Sequence, residues 1–329
     1  MKLGIIFTGG TIGCQVAEDG YLQLPDSSTY FLLEGAKERG ILDGITVIPS
    51  EPFRVFSEQM TGETLSLLVN HVRERIWKEA CDGWILLHGS DTLAYTAAVL
   101  GYVLGTDCPP LVLVASNEPL SNPKANGWTN FAYAVRFLQE QQATGVFVSH
   151  CNTDNIPTIH EAIQLLQQLP GSGNLYSFRD AIYGTYDKQG QFHQNRTIPS
   201  RASMLPLSEP LNLLQPAPLL QLTAGVGGSL PEIPDYIQAI FYACYHSGTI
   251  CTDASFQAFA AKAADRQIPV YLTGCRSDTL DYETVKQWQA LQVQPLYDIA
   301  PIAAYCKSWI QVSIGKSAKF LQGNSIYFF

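Results

Sequence analysis

Hydroxyl and carboxylate side chains stand next to glycines at two places in this sequence, and both places follow short apolar runs. The first is Thr8-Gly9-Gly10-Thr11-Ile12-Gly13, after the run 3–7. The second is His88-Gly89-Ser90-Asp91-Thr92, after the run 84–87. Hydrolysis of an amide needs an activated nucleophile, a proton carrier and hydrogen-bond donors for the developing oxyanion. Thr8, Thr11 and Ser90 offer hydroxyls, Asp91 a carboxylate, and the glycines a backbone free to turn sharply and approach a ligand. A hydroxyl titrates far above neutrality, so a base or a cation has to help it lose its proton. A plainer reading exists for the second cluster, in which Ser90 or Asp91 caps the helix that follows.

The elements that position these groups follow from the pattern around them. The run 84–87 lacks polar alternation, as expected of a strand buried on both faces of a parallel sheet. From Thr92 onward Leu93, Ala97, Leu100 and Leu104 recur at helical spacing. The clusters thus fall where strands end and helices begin, the edge at which open α/β sheets bind ligands. Further strands are expected over 45–48, 111–115 and 146–149, with helices over 29–37, 61–80, 129–142 and 159–169. Alternation of this kind predicts a doubly wound parallel sheet. A hairpin is expected over 183–193, tipped by Lys188-Gln189-Gly190. Five prolines between Pro199 and Pro218 read as an extended linker over 196–217. That gives an N-terminal catalytic domain over 1–195 and a smaller C-terminal α/β domain over 218–329. The strands of the latter are expected over 219–222, 239–242 and 270–273, its helices over 255–264, 282–291 and 299–310.

Composition bounds the function. At 329 residues and 46% hydrophobic the chain can bury a large core. A net charge of -9 without basic runs argues against nucleic acid or an anionic membrane as partner. The apolar start is too short for a signal peptide, and no stretch approaches a membrane span, so a cytoplasmic protein is expected. The eight cysteines are scattered without a Cys-x-x-Cys pair and read as reduced, buried thiols. No His or Cys pair has zinc-ligand spacing. Gly9, Gly10 and Gly13 have the wrong order for a dinucleotide loop.

The two clusters, in this order, resemble the signatures of the bacterial-type L-asparaginase family, Thr-Gly-Gly-Thr-Ile and His-Gly-Thr-Asp-Thr. The likeness continues through Asp19-Gly20-Tyr21, as in cytoplasmic type I members, through Ser57-Glu58-Gln59-Met60 and, more loosely, through Ser116-Asn117-Glu118-Pro119-Leu120 and the second domain. It implies a two-domain α/β fold and hydrolysis of L-asparagine to L-aspartate and ammonia. Thr11 would be the nucleophile, and Tyr21 its partner from a closing loop. Ser90 would supply a second hydroxyl, and Asp91 would hold the substrate's α-amino group. Ser57 and Glu58 would bind the α-carboxylate and α-amino groups, with backbone donors from Gly10 and Gly89. No metal or cofactor is implied, and a homodimer or homotetramer is.

The chain departs from this pattern in three places. Ser90 replaces the signature threonine. His160 occupies the position of the family's catalytic lysine, and no lysine lies between Lys124 and Lys188. His160 then reads as a substitute base, as a residue of the first turn of a helix with no role in the site, or as a sign of lost activity. Ile302 stands where the family carries a glutamate that reaches a neighbouring subunit, and Tyr245-His246-Ser247-Gly248-Thr249 lacks the family's asparagine. The alternatives to an asparaginase are therefore a non-catalytic amino-acid-binding or sensor protein, or an amidase with a changed substrate.

Overall fold

A computed structural model describes residues 1–26, 28–195, 205, 207–278 and 282–318. The chain divides into two compact units that part between Pro210 and Leu211.

In the first unit the elements follow in the order β1 (Lys2–Phe7), β2 (Gln15–Val16), β3 (Leu22–Gln23), α1 (Ser28–Glu38), β4 (Thr46–Ser50), α2 (Gly62–Lys78), β5 (Gly83–Leu87), α3 (Leu93–Leu104), β6 (Leu111–Val114), α4 (Gly127–Glu140), β7 (Val146–Cys151), β8 (Pro157–Glu161), β9 (Ile182–Tyr186) and β10 (Phe192–Gln194). Eight of the strands form one sheet, ordered β10-β9-β8-β7-β6-β5-β1-β4. The five from β4 to β7 are parallel, as the unalternating apolar runs require. The strand order reverses between β1 and β5: the chain goes from β1 to β4 on one side and then to β5 on the other. This is the topological switch point at which a doubly wound sheet opens a crevice.

The helices follow their sequence signals. Thr61 caps α2, its hydroxyl accepting from the Thr64 amide at 3.2 Å, and Leu65, Leu68, Val69, Val72 and Ile76 face the core. All residues of α3 except Tyr95 are buried, which suits a helix apolar on nearly every side. Phe131, Phe137 and Phe147 fill the layer between α4 and the sheet.

Three expectations need correction. Residues 159–169 are not a helix. Apolar Ile159 and Ile163 share a helical spacing, but β8 pairs antiparallel with β7, placing His160 opposite Val148. A single 3-10 turn follows over Ala162–Gln164. Pairing with a neighbouring strand overrides a weak periodic signal. Second, the sheet is mixed: β8, β9 and β10 add an antiparallel edge. Third, the segment after the glycines is not merely a loop, since β2 and β3 pair as a short ribbon. The expected proline-rich linker lies largely outside the described residues.

The second unit holds β11 (Leu219–Thr223), β12 (Ala239–Ala243), α5 (Ala254–Asp265), β13 (Val270–Cys275), α6 (Val285–Ala290), β14 (Gln294–Tyr297) and α7 (Pro301–Ser313). Its four strands are parallel in sequence order, and β14 had no counterpart among the strands expected from the sequence. Phe256, Phe259, Val270, Leu272 and Trp288 form its own core. Among the described residues no helix is long and apolar enough to cross a membrane.

Candidate active site

The carboxyl ends of β1 and β5 meet almost without side chains between them. Gly10 has φ 73°, a left-handed value that favours glycine, and a Cβ there would overlap the backbone of Gly89. A Cβ on Gly89 would in turn overlap the side chain of Ser57. Glycine at both positions lets three segments close on one point. Thr8 locks the arrangement by donating its hydroxyl to the Leu87 carbonyl at 2.8 Å. Thr8 is thus a buried structural residue and not a reactive one. On the other side the Thr8 carbonyl accepts from the Val55 amide at 2.9 Å, and the Gly10 amide donates to the Val55 carbonyl at 3.1 Å.

Thr11 opens a 3-10 turn, Thr11–Gly13, where its half-buried hydroxyl has no protein partner among the described residues. Ser57 opens another, Ser57–Gln59, and is buried. Its Oγ donates to Asp91 Oδ2 at 2.8 Å and accepts from the Asp91 amide at 3.3 Å. Its carbonyl accepts from Thr92 Oγ1 at 3.0 Å. Neither Ser90 nor Asp91 caps α3. The N-cap is Thr92, whose hydroxyl is committed to Ser57, so the carboxylate of Asp91 stays directed outward beside Ser57. Glu58 is exposed next to this pair. Burial, with a lesser contribution from the Glu58 charge, pushes the Cys14 thiol up to about 11.

The Gly10 amide is committed to the Val55 carbonyl, whereas the Gly89 amide has no acceptor among the described residues. His88 is also structural. It is wholly buried, its Nδ1 donates to the Gly89 carbonyl at 2.7 Å, and its Nε2 accepts from Thr96 Oγ1 at 2.9 Å. Burial, against smaller opposing effects of the Gly89 carbonyl and the Asp91 charge, pulls its pKa down to about 4. A neutral ring of fixed tautomer therefore orients the glycine beside Ser90. Tyr21 sits at the tip of the β2–β3 ribbon, 75% exposed, with its main chain held by Asp19 and Ala17.

Ser90 and Asp91 form one wall of a cleft of about 500 Å³. Asn117 and Glu118 line it from the end of β6, and residues 167–173 close its far side. Gln167 Nε2 donates to the Asp91 carbonyl at 2.6 Å. Sequence reasoning missed Gln167 because it sat inside an expected helix. Asn117 and Glu118 appeared only as part of a loose resemblance, although the rule that sites collect at strand ends applies to β6 as much as to β1.

His160 lies elsewhere in the network. It is 2% exposed on β8 and its Nδ1 hydrogen-bonds Ser177 Oγ at 2.9 Å. Burial, with the adjacent His150 adding a little, lowers its pKa to about 3. His150 Nε2 bonds the Gly173 carbonyl at 2.9 Å, and Asn152 bonds the Leu175 main chain on both sides. This cluster fastens the 167–177 segment to β7 and β8. Neither Ser90 nor Thr11 is among the hydrogen-bond partners of His160. Ile302, at the position of the interface glutamate, is buried in α7. Among the described residues no group of His, Cys, Asp and Glu is arranged to hold a metal.

The asparaginase N-terminal family model matches residues 2–178, more than half of the chain. L-asparaginase 1 of Escherichia coli K12 is 29% identical over 132 residues, 40% of this chain and 38% of that protein. The glutamyl-tRNA(Gln) amidotransferase of Metallosphaera sedula contains a polypeptide that is 31% identical over 140 residues, 42% of this chain and 31% of that polypeptide. The aligned stretches thus span less than half the length of these curated relatives. Among solved structures, L-asparaginase I from Vibrio cholerae superimposes with a TM-score of 0.73 at 20% identity, over 96% of this chain and 94% of that one. At that identity the likeness speaks for the two-domain α/β fold, and with the family model spanning both glycine clusters the chain belongs to the asparaginase family.

Proposed function

We propose that this chain is an amidohydrolase that releases ammonia from L-asparagine or a closely similar amino-acid amide, with Thr11 as nucleophile. The observation that carries this reading is the backbone contact of Gly10 with Gly89, which gathers Thr11, Ser90 and the Ser57–Asp91 pair at one strand edge. A zwitterionic amino acid needs an acceptor for its ammonium and donors for its carboxylate. The outward carboxylate of Asp91, with Glu58 beside it, supplies the first. Ser57 and the turn amides supply the second.

In the proposed reaction Thr11 Oγ1 attacks the side-chain amide carbon, and the Gly89 amide stabilises the oxyanion. Tyr21 closes from the ribbon tip and relays a proton, its oxygen accepting that of Thr11 as its own O–H proton goes to the departing nitrogen. The C–N bond breaks and ammonia leaves. Water then cleaves the acyl-enzyme to L-aspartate and restores Thr11. Ser90 orients the substrate, since neither lysine nor histidine is among the residues that line its cleft. His160 positions the cleft wall through Ser177 and takes no proton. We place this chemistry in residues 1–195, and propose a homo-oligomer as the working form.

The test is ammonia release from L-Asn, L-Gln and D-Asn between about pH 6 and pH 9, with Thr11→Ala alongside. Turnover of L-Asn that collapses in the variant is the expected result. A Thr11→Ala protein as active as the parent would sink the mechanism. The absence of a cation among the cleft's lining residues favours one second reading, an amino-acid-binding protein without turnover. Calorimetric binding of Asp or Asn with no ammonia from any amide would select it.

A further inference from the structure

Strands β12 and β13 are parallel neighbours, with Ala243 opposite Thr273. Continued regularly, they would set Cys244 opposite residue 274 and turn Cys275 to the other face. That is not what happens. Gly274 has φ 87°, and the β13 pairing slips between Leu272 and Cys275. A glycine bulge of this kind re-aims the next side chain. It brings the Cys275 thiol to the side of Cys244, where the two sulfurs lie 3.5 Å apart. No spacing in the sequence announces this pair, since 31 residues separate its members.

We propose that Cys244 and Cys275 are a two-cysteine redox site, in which hydrogen peroxide oxidises Cys244 and Cys275 resolves it to a reversible disulfide. The two thiols differ in the way such a division needs. Cys275 is 2% exposed, whereas Cys244 is only half-buried and open to a small oxidant. The contact with the Cys275 sulfur holds the Cys244 thiol below its ordinary value, more than offsetting the opposing effect of burial. Burial pushes the thiols of Cys81, Cys151 and Cys306 the opposite way. Forming the bond shortens the sulfur separation from 3.5 Å to about 2.05 Å.

The chemistry balances in two steps. Cys244 thiolate attacks the terminal peroxide oxygen, the O–O bond breaks, and hydroxide leaves to become water with the thiol's proton. The resulting sulfenic acid is attacked by the Cys275 sulfur; the S–S bond forms, the S–O bond breaks, and a second water leaves with the Cys275 proton. Two thiols give up two electrons in all, and the peroxide accepts them. Dithiothreitol reverses the process by thiol–disulfide exchange.

The experiment treats the full chain under native conditions with a few equivalents of hydrogen peroxide. The remaining thiols are then alkylated in denaturant, and peptides are mapped by mass spectrometry. The expected result is loss of two of the eight thiols, a mass decrease of about 2 Da, a cross-linked peptide joining residues 244 and 275, and full recovery with dithiothreitol. Cys275→Ala should halt at a Cys244 sulfenic acid that dimedone traps. Complete alkylation of both thiols after peroxide, a link between any other pair, or dimedone on exposed Cys251 in place of Cys244 would overturn the proposal. The unsubstituted chain alone decides the disulfide, so a Cys275→Ala protein that fails to fold leaves that test standing.

Discussion

Two regions of the first unit's sheet, around β1 and β5 and around β7 and β8, are held together by different means. At the β1 and β5 ends, main chain touches main chain, and two glycines make the contact possible. At the β7 and β8 ends, side chains hold the structure: His150, Asn152 and His160 fasten a distant segment by its carbonyls and by Ser177. The first arrangement tolerates no added atom but leaves the hydroxyls of Thr11 and Ser90 without protein partners among the described residues. The second ties one nitrogen of each ring to the 173–177 segment and leaves His150 Nδ1 and His160 Nε2 buried without a partner among the described residues. On the proposed function, the reactive groups belong to the region whose hydroxyls are left open, and positioning to the region whose rings hold a distant segment in place.

Experiments can break that contrast, and the largest effect should come from Thr11. Thr11→Ala is expected to cost about 10³-fold or more in ammonia release. Its melting temperature should stay close to that of the parent, because the hydroxyl makes no bond to any described residue. A comparable loss on changing His160 would erase the difference between the two regions.

Gly10→Ala should come next, through stability. The left-handed backbone alone costs an L side chain about 1–3 kcal/mol, and the overlap with Gly89 adds to it. Denaturant melting should show the loss, with activity falling alongside. Unchanged stability would mean the two strand ends can separate freely.

Ser57→Ala removes a charge-assisted hydrogen bond to Asp91, worth about 1.5–3 kcal/mol. A rise in KM of about ten- to a hundredfold is expected from that energy, with a smaller change in kcat. A change confined to kcat would instead place Ser57 among the reacting groups.

His160→Gln should change kcat less than any of these and show itself in the pH dependence of stability. The folded pKa values of His160 and His88, about 3 and about 4, lie below the ordinary 6.5. Unfolding therefore takes up a proton at each ring once the pH drops below that value. Their contribution to stability is full above pH 6.5 and is lost as the pH falls toward the folded values. Each proton contributes a slope of about 1.4 kcal/mol per pH unit. Melting temperatures taken from about pH 8 down to pH 5 should thus fall, and His160→Gln should flatten the decline by one proton's worth. An unaltered slope would mean that His160 is already charged in the fold.

Most of the parallel sheet could be read from the chain, because buried parallel strands carry continuous apolar runs and need no partner to be recognised. The hairpin over β9 and β10 was legible from its Gly190 turn for the same local reason. β8 was not, since its residues fit a helix equally well until β7 supplies hydrogen bonds. The ribbon of β2 and β3, two residues on each side, is too short to leave a pattern. Within the candidate site, Thr11, Gly89, Ser90 and Asp91 stood out by type and spacing, and Ser57 only through the family resemblance. Gln167 entered only because its amide reaches back 76 residues to the Asp91 carbonyl.

By itself the sequence determined where the parallel strands end, and which glycines, hydroxyls and carboxylates follow those ends. These are consequences of backbone freedom and local periodicity, which act over a few residues. Tertiary structure alone decided that Thr8 is a lock and Thr11 is open, that His160 faces Ser177, and that Cys244 finds Cys275. Each of those outcomes depends on a partner brought from far along the chain, and hydrogen bonds and thiol contacts form only once packing has set the distance.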